Sequence, residues 1–244
     1  MIGAIVGVTA RGVLGRRRSL LIVLFAAVPA IIALVVRLSG STSDAVALAA
    51  DLLDALIVRT VLPLVALILG TAVLGSELED GTAVYLLVKP IERRRIIAAK
   101  YIVAAGMTVG LVALVTTVTG LIVAAGRGAE QIVVAFTIAV AIGGLLYAAI
   151  FLALSVVTSR ALIVGLAYIL IWEGLLAGLL EGTQVLSVRQ YTLSIARLIA
   201  AGDGEAISVT LAGTVALALS VIVLVGSFAV AVRGLQSYEL RGTE

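Results

Sequence analysis

Apolar runs of membrane-spanning length constrain this chain more than any motif in it. About 20 apolar residues carry a helix across a hydrocarbon core of about 30 Å. Six runs approach that length, at about Ser19 to Val36, Leu56 to Gly75, Ile97 to Ala125, Ile132 to Val157, Ala161 to Leu180 and Ala206 to Val232. The predicted fold is all-α: a polytopic membrane protein with six transmembrane helices in a single transmembrane domain, 1–244. Composition agrees, since 62% of the 244 residues are hydrophobic and 13% charged, outside the range of soluble domains.

The basic residues orient these runs. With a cytoplasmic N-terminus, the inner side holds Arg11, Arg16, Arg17, Arg18, Lys89, Arg93, Arg94, Arg95, Lys100, Arg160, Arg233 and Arg241, and the outer side holds Arg37, Arg59, Arg127, Arg189 and Arg197. Lys and Arg concentrate on the cytoplasmic side of membrane proteins, so both termini are predicted to lie there. The pI near 9.5 therefore reports topology rather than nucleic-acid binding, because the basic residues stand at the ends of apolar runs and not on one polar surface.

Cysteine and histidine are both absent, which removes disulfides, thiolate chemistry, imidazole metal sites and the commonest general base. No catalytic, cofactor-binding or metal-binding residue is assigned. Gly12 to Ser19, GVLGRRRS, lacks the spacing and lysine of a phosphate-binding loop. The first apolar run has no persuasive cleavage site after it and reads as a retained helix.

Residues 1–18 place Ile2, Ile5, Val6 and Val13 at near-helical spacing against Arg11 and Arg16 to Arg18, the pattern of an interfacial helix on anionic headgroups. Asp51 and Asp54 belong to a short external helix leading into the second span. Arg59 either snorkels to the interface or marks, with Pro63, a functional kink. Thr116, Thr117 and Thr119 are expected to bond back to their own helix. Gly143 and Gly144 permit close helix approach, and the short turn at Thr158 to Arg160 makes spans four and five an antiparallel hairpin.

Gly174, Gly178 and Gly182 fall every four residues on one face of span five, a packing face for a dimer or for an internal contact. Beside them Glu173 is ionisable in apolar surroundings, which marks a pathway or a buried pair with Arg59 as a candidate partner. Gln184 to Ala200 is too polar to span and too periodic for a loop. The segment 183–203 is therefore predicted to be external and amphipathic, lying in or dipping into the outer leaflet.

The densest charge lies between spans two and three, in SELEDGTAVYLLVKPIERRRIIAAKY from Ser76 to Tyr101. Asp80 or Thr82 can cap a short helix through Val88, Pro90 stops it, and Glu92 suits the positive end of the next helix. The positive-inside rule explains five basic residues here but neither the four acids nor the Gly-Thr, Leu-Leu and Pro punctuation. Segment 76–96 thus reads as an exposed cytoplasmic element rather than a plain loop.

These residues carry a resemblance. Glu77, Glu79, Gly81, Thr82, Leu86, Leu87, Pro90, Arg93 and Lys100 look like the signature between spans two and three of the ABC type-2 exporter permeases, the membrane subunits of ATP-binding-cassette transporters. Trp172 to Gly174 and the SVRQYTLSIA run also look like bacterial members. The compact first outer loop departs from members that carry a large external domain. The resemblance implies a coupling helix that contacts a separate ATPase through Glu77, Glu79, Gly81, Thr82, Leu86, Leu87, Pro90 and Arg93. It implies an exporter permease in a bacterial-type inner (plasma) membrane, paired as a homodimer or with a related permease. Two copies of the ATPase would hold the ATP and Mg, so this chain is expected to be non-catalytic and to bind no cofactor, and no ATPase domain is expected after the sixth span.

Two rival readings are weaker. A lipid-modifying enzyme could use Glu77, Glu79, Asp80 and Glu92 for a metal, but no arginine follows Asp80-Gly81 as in phosphoalcohol transferases. An ion-coupled secondary transporter acting without an ATPase would want internal repeats or paired broken helices, and neither is visible.

Overall fold

Backbone polar groups have no water to bond inside a bilayer, so apolar runs of this length close their hydrogen bonds internally as helices. The structure, a computed structural model, describes residues 16–39, 44–79, 92–176 and 183–241. Among them every regular element is helical and no strand occurs. Helix α1 is Arg16–Leu38 and α2 is Ala45–Leu52, which passes through a π-helical stretch, Leu53–Val61, into α3, Leu62–Glu79. Then follow α4 (Arg93–Ala124), α5 (Glu130–Val157) and α6 (Ala161–Ala167), the last extended by a second π-helical stretch, Tyr168–Leu176. Helix α7 is Val188–Ala200, flanked by the 3₁₀ turns Thr183–Leu186 and Ala201–Ala206, and α8 is Gly213–Arg241.

Four described stretches are long and apolar enough to cross a membrane: Ala45–Leu74, Arg93–Ala124, Glu130–Val157 and Gly213–Gln236. Ala27–Leu38 and Ala161–Leu175 are shorter apolar helices at the places expected for spans one and five. The expected interfacial helix 1–18 lies outside the described residues except for the start of α1.

The external helix expected ahead of span two is continuous with it. Its N-terminus is capped by Asp44, whose Oδ1 accepts from the Val46 N–H at 3.0 Å. Pro63 stands just past the π-helical stretch. In a regular α-helix its ring would press on the carbonyl four residues back, and the wider turn relieves that crowding. The last span begins at Gly213 rather than near Ala206, because Ala201–Ala206 form a 3₁₀ turn entered through Ala201 at a φ of 49°. Gly204 has to be glycine there, since a Cβ would lie 2.6 Å from the Arg197 carbonyl oxygen.

Helix α5 is the axis of the molecule and packs against α3, α4, α7 and α8. Close approach comes from small residues, as it must where lipid supplies no hydrophobic drive between helices. A Cβ at Gly70 would lie 2.9 Å from Phe151 Cβ, one at Gly120 would lie 2.6 Å from Val133, and one at Gly165 would lie 2.3 Å from Leu67. The hairpin of α5 and α6 turns through Thr158–Arg160. Arg37 clasps α1 to the far end of α4, its Nη1 donating to the Ile122 carbonyl at 2.6 Å and its Nη2 to the Ala125 carbonyl at 3.2 Å. A cation there meets carbonyls that the helix itself leaves unpaired.

One end of the bundle gathers the ends of α3 and α5 and the start of α4, where Leu74, Ile96, Ile97, Val156 and Leu235 form a separate apolar cluster. The opposite end carries Asp44, the turn from α4 to α5 and the C-terminal end of α7, whose Ala200 carbonyl accepts from Gln131 Nε2 at 3.2 Å, while the rest of α7 runs inward so that Thr192 meets Gly143 at the middle of α5.

Candidate functional site

The charged segment begins in the last turns of α3, which contain Glu77 and Glu79, and resumes at Glu92, the N-cap position of α4. Gly81, Thr82, Leu86, Leu87 and Pro90 lie outside the described residues. Glu92 pairs with Arg95 at 3.1 Å, with both side chains mostly exposed. Such a pair contributes little, about 0–1 kcal/mol. Arg93 is half-buried and engaged. Lys100, two turns into α4, is 1% exposed and also engaged, as a buried ammonium has to be.

A second polar constellation lies deep in the bundle, built on the π-helical stretch that extends α6. Glu173 is 7% exposed. Its Oε2 accepts from Ser187 Oγ at 2.5 Å, and its Oε1 accepts from the Val188 N–H at 2.9 Å and from the Tyr168 hydroxyl at 3.2 Å. Val188 is the first residue of α7 and Ser187 its N-cap. The carboxylate therefore lies at the positive end of a helix and takes one of the backbone donors that a helix start leaves orphaned. Ser187 Oγ in turn accepts from the Gln190 N–H at 3.3 Å. The Trp172 indole donates to the Leu186 carbonyl at 3.4 Å, and the Tyr191 hydroxyl donates to the Val185 carbonyl. Beside Glu173 the buried Tyr147 hydroxyl lies close without reaching bonding geometry.

A second carboxylate reaches the same turn of α7. Arg189 Nε donates to Asp54 Oδ1 at 3.1 Å and its Nη2 to Asp54 Oδ2 at 2.5 Å, a two-pronged contact with both side chains largely covered. Planar guanidinium and carboxylate match in this geometry, which adds direction as well as energy. Asp54 belongs to the other π-helical stretch, Leu53–Val61. Each of the two π-helical stretches thus sends one carboxylate to the start of α7.

Glu173 is met by Ser187, Val188 and Tyr168, and Arg59, exposed in the first π-helical stretch, does not bond to it. Gly174 is exposed, while Gly178 and Gly182 lie outside the described residues. Thr116 and Thr117 bond back to the carbonyls of Val112 and Ala113, whereas Thr119 Oγ is buried without a protein partner. Sequence reasoning singled out the runs at Trp172 to Gly174 and SVRQYTLSIA without attaching a role to either, and it missed Ser187 and Asp54 as partners. The signal was present in composition, since an acid and an arginine stand in otherwise apolar surroundings. What pairs with what depends on the packing.

Among the described residues no group of three or more acids could hold a metal. No curated protein matches the chain. Residues 14–172 match the family model described as ABC-2 family transporter protein, a stretch that runs from α1 through the charged segment to the residue before Glu173. That is well over half of the chain, and the protein belongs to the ABC-2 transporter family.

Proposed function

We propose that the chain is the permease subunit of an ABC exporter, forming half of the translocation pathway and driven by a separate cassette ATPase. The observation that carries this reading is the family match itself, which includes the whole of Ser76 to Tyr101 and the helices on either side. The functional unit is two copies of this chain, or this chain with a related permease, together with two ATPase subunits that bind ATP and Mg. On this reading six spans leave both termini on one side, and the excess of Lys and Arg on that side makes it, together with the charged segment, the cytoplasmic face of a bacterial-type inner membrane.

The mechanism follows from linkage. ATP brings the two ATPases together, and only their differential affinity for two arrangements of the charged segment can shift the spans between inward-facing and outward-facing states. Glu77, Glu79, Gly81, Thr82, Leu86, Leu87, Pro90 and Arg93 are the contacting or shape-determining positions. Glu79→Ala combined with Gly81→Trp should leave membrane insertion and ATP hydrolysis by the co-purified ATPase in place while lowering ATP-dependent transport at least about tenfold, the effect of losing about 1.4 kcal/mol of coupling. Unchanged transport in reconstituted vesicles refutes the assignment. Failure of the chain to bind any cassette ATPase in detergent refutes the exporter reading.

A further inference from the structure

The runs at Trp172 to Gly174 and Ser187 to Tyr191 are fourteen residues apart, yet the fold brings them together: Glu173 bonds the N-cap and first N–H of α7. Asp54, 135 positions from Arg189, holds the next residue of the same turn. Both carboxylates stand on π-helical stretches, where one widened turn redirects side chains and where functional sites recur.

What these contacts restrain is unusual for an external amphipathic helix. The residues Gln190 to Ala196 of α7 are buried, polar members included, and Thr192 packs so tightly that a Cβ at Gly143 would lie 2.4 Å from its Oγ1. The helix dips into the bundle instead of lying on it. Gln190 Oε1 and Ser194 Oγ are buried there without a protein partner. An unsatisfied buried polar group disfavours the arrangement that buries it, so Gln190 and Ser194 oppose the seated position of α7, which its apolar packing, the contacts at its start and the Gln131 bond to the Ala200 carbonyl hold in place.

We infer that Asp54 and Glu173 are positioning residues that together clamp the N-terminal turn of α7 deep in the bundle, and that releasing the clamp exposes the polar face of α7. The role of this release in transport rests on the exporter reading; the clamp itself does not. Because Asp54 precedes α3 and Glu173 follows α6, α7 cannot follow both when those helices move apart, and a relative movement strains the clamp. The span that continues into Glu77 and Glu79 is the one that carries Asp54. Movement imposed at the charged end is therefore transmitted to the clamp along one helix.

The chain has no cysteine, so a single introduced thiol reports the exposure of its own position. Ser194 is 1% exposed and borders an open cavity of about 570 Å³ that also touches Arg197, Glu205 and Thr210, which gives a reagent a route once α7 lifts. Ser194→Cys in the full chain, in permeabilised membranes without ATP, is treated with a water-soluble maleimide. Ser155→Cys, buried at the far end of α5, serves as the control. Adding Glu173→Ala should speed labelling at position 194 about tenfold, as expected for losing hydrogen bonds to a charged group. Asp54→Asn should speed it severalfold, and Glu173→Gln, which keeps an acceptor for the Val188 N–H, should speed it less than Glu173→Ala. Labelling at position 155 should stay unchanged. Equal rates at position 194 in all variants overturn the clamp, and so does a parallel rise at position 155, which would mean general loosening. If the chain binds no ATPase but the labelling pattern holds, the exporter reading falls and the clamp stands.

Discussion

Helices α5 and α8 are almost alike in apolar character and length, yet 67% of the most apolar stretch of α5 is buried within the protein against 22% for α8. Midway along each helix a glycine marks the difference. A side chain at Gly143 of α5 would collide with Thr192, whereas a Cβ at Gly226 of α8 meets nothing within 4 Å. Along α8, Val221, Ile222 and Val225 face outward. Hydropathy therefore reports exclusion from water in both helices but extensive burial against protein in only one.

Three substitutions test that contrast, in falling order of effect. Phe151→Ala on α5 removes a fully buried ring that stacks on Tyr147 at 5.9 Å and meets Tyr168 edge-on at 6.3 Å. It should cost about 3–5 kcal/mol, read as a large drop in the thermal midpoint of the purified protein. A loss below about 1 kcal/mol would remove α5 from the centre of the fold.

Gly143→Ala should cost about 1–2 kcal/mol through overpacking. Thr192→Ala in the same chain should restore about 1 kcal/mol of it, since residues in contact couple by that order. A double-mutant cycle without coupling would mean that α7 does not seat against Gly143.

Gly226→Ala should act with the opposite sign, leaving stability unchanged or raising it by about 0.4–1 kcal/mol, because alanine fits an open helical position and restricts the unfolded chain. If it destabilises, α8 is covered by another surface in the assembled protein, and the contrast with α5 narrows to one between internal and intermolecular burial.

Much of the fold was legible in the chain. The hairpin at Thr158–Arg160 followed from too few residues to do anything but turn back, and the close approach at Gly143 followed from paired glycines in an apolar run. The short helix before span two was expected from the stretch with Asp51 and Asp54, but neither its cap at Asp44 nor its continuity with that span was. The π-helical stretches were invisible, because an i to i−5 ladder leaves no periodic signature over nine residues. At the charged end, Glu77, Glu79 and Arg93 announced themselves by composition. Deeper in the bundle, Glu173 was visible as an anomaly, but its partners were not: an isolated acid says that compensation exists, not that a helix N-terminus supplies it. Arg59 was the natural candidate by charge alone, and the fold instead used neutral donors for Glu173 and gave Arg189 to Asp54.

The chain's own pattern of apolar runs and flanking charge determined that this is an all-helical membrane protein with its densest charge between two spans, because lipid leaves a backbone no alternative to internal bonding. Only the tertiary structure decided which apolar faces touch protein and which acids meet the start of α7. Hydropathy is measured against water and cannot tell lipid from a neighbouring helix, and the donors that satisfy a buried carboxylate are set by packing rather than by distance along the chain.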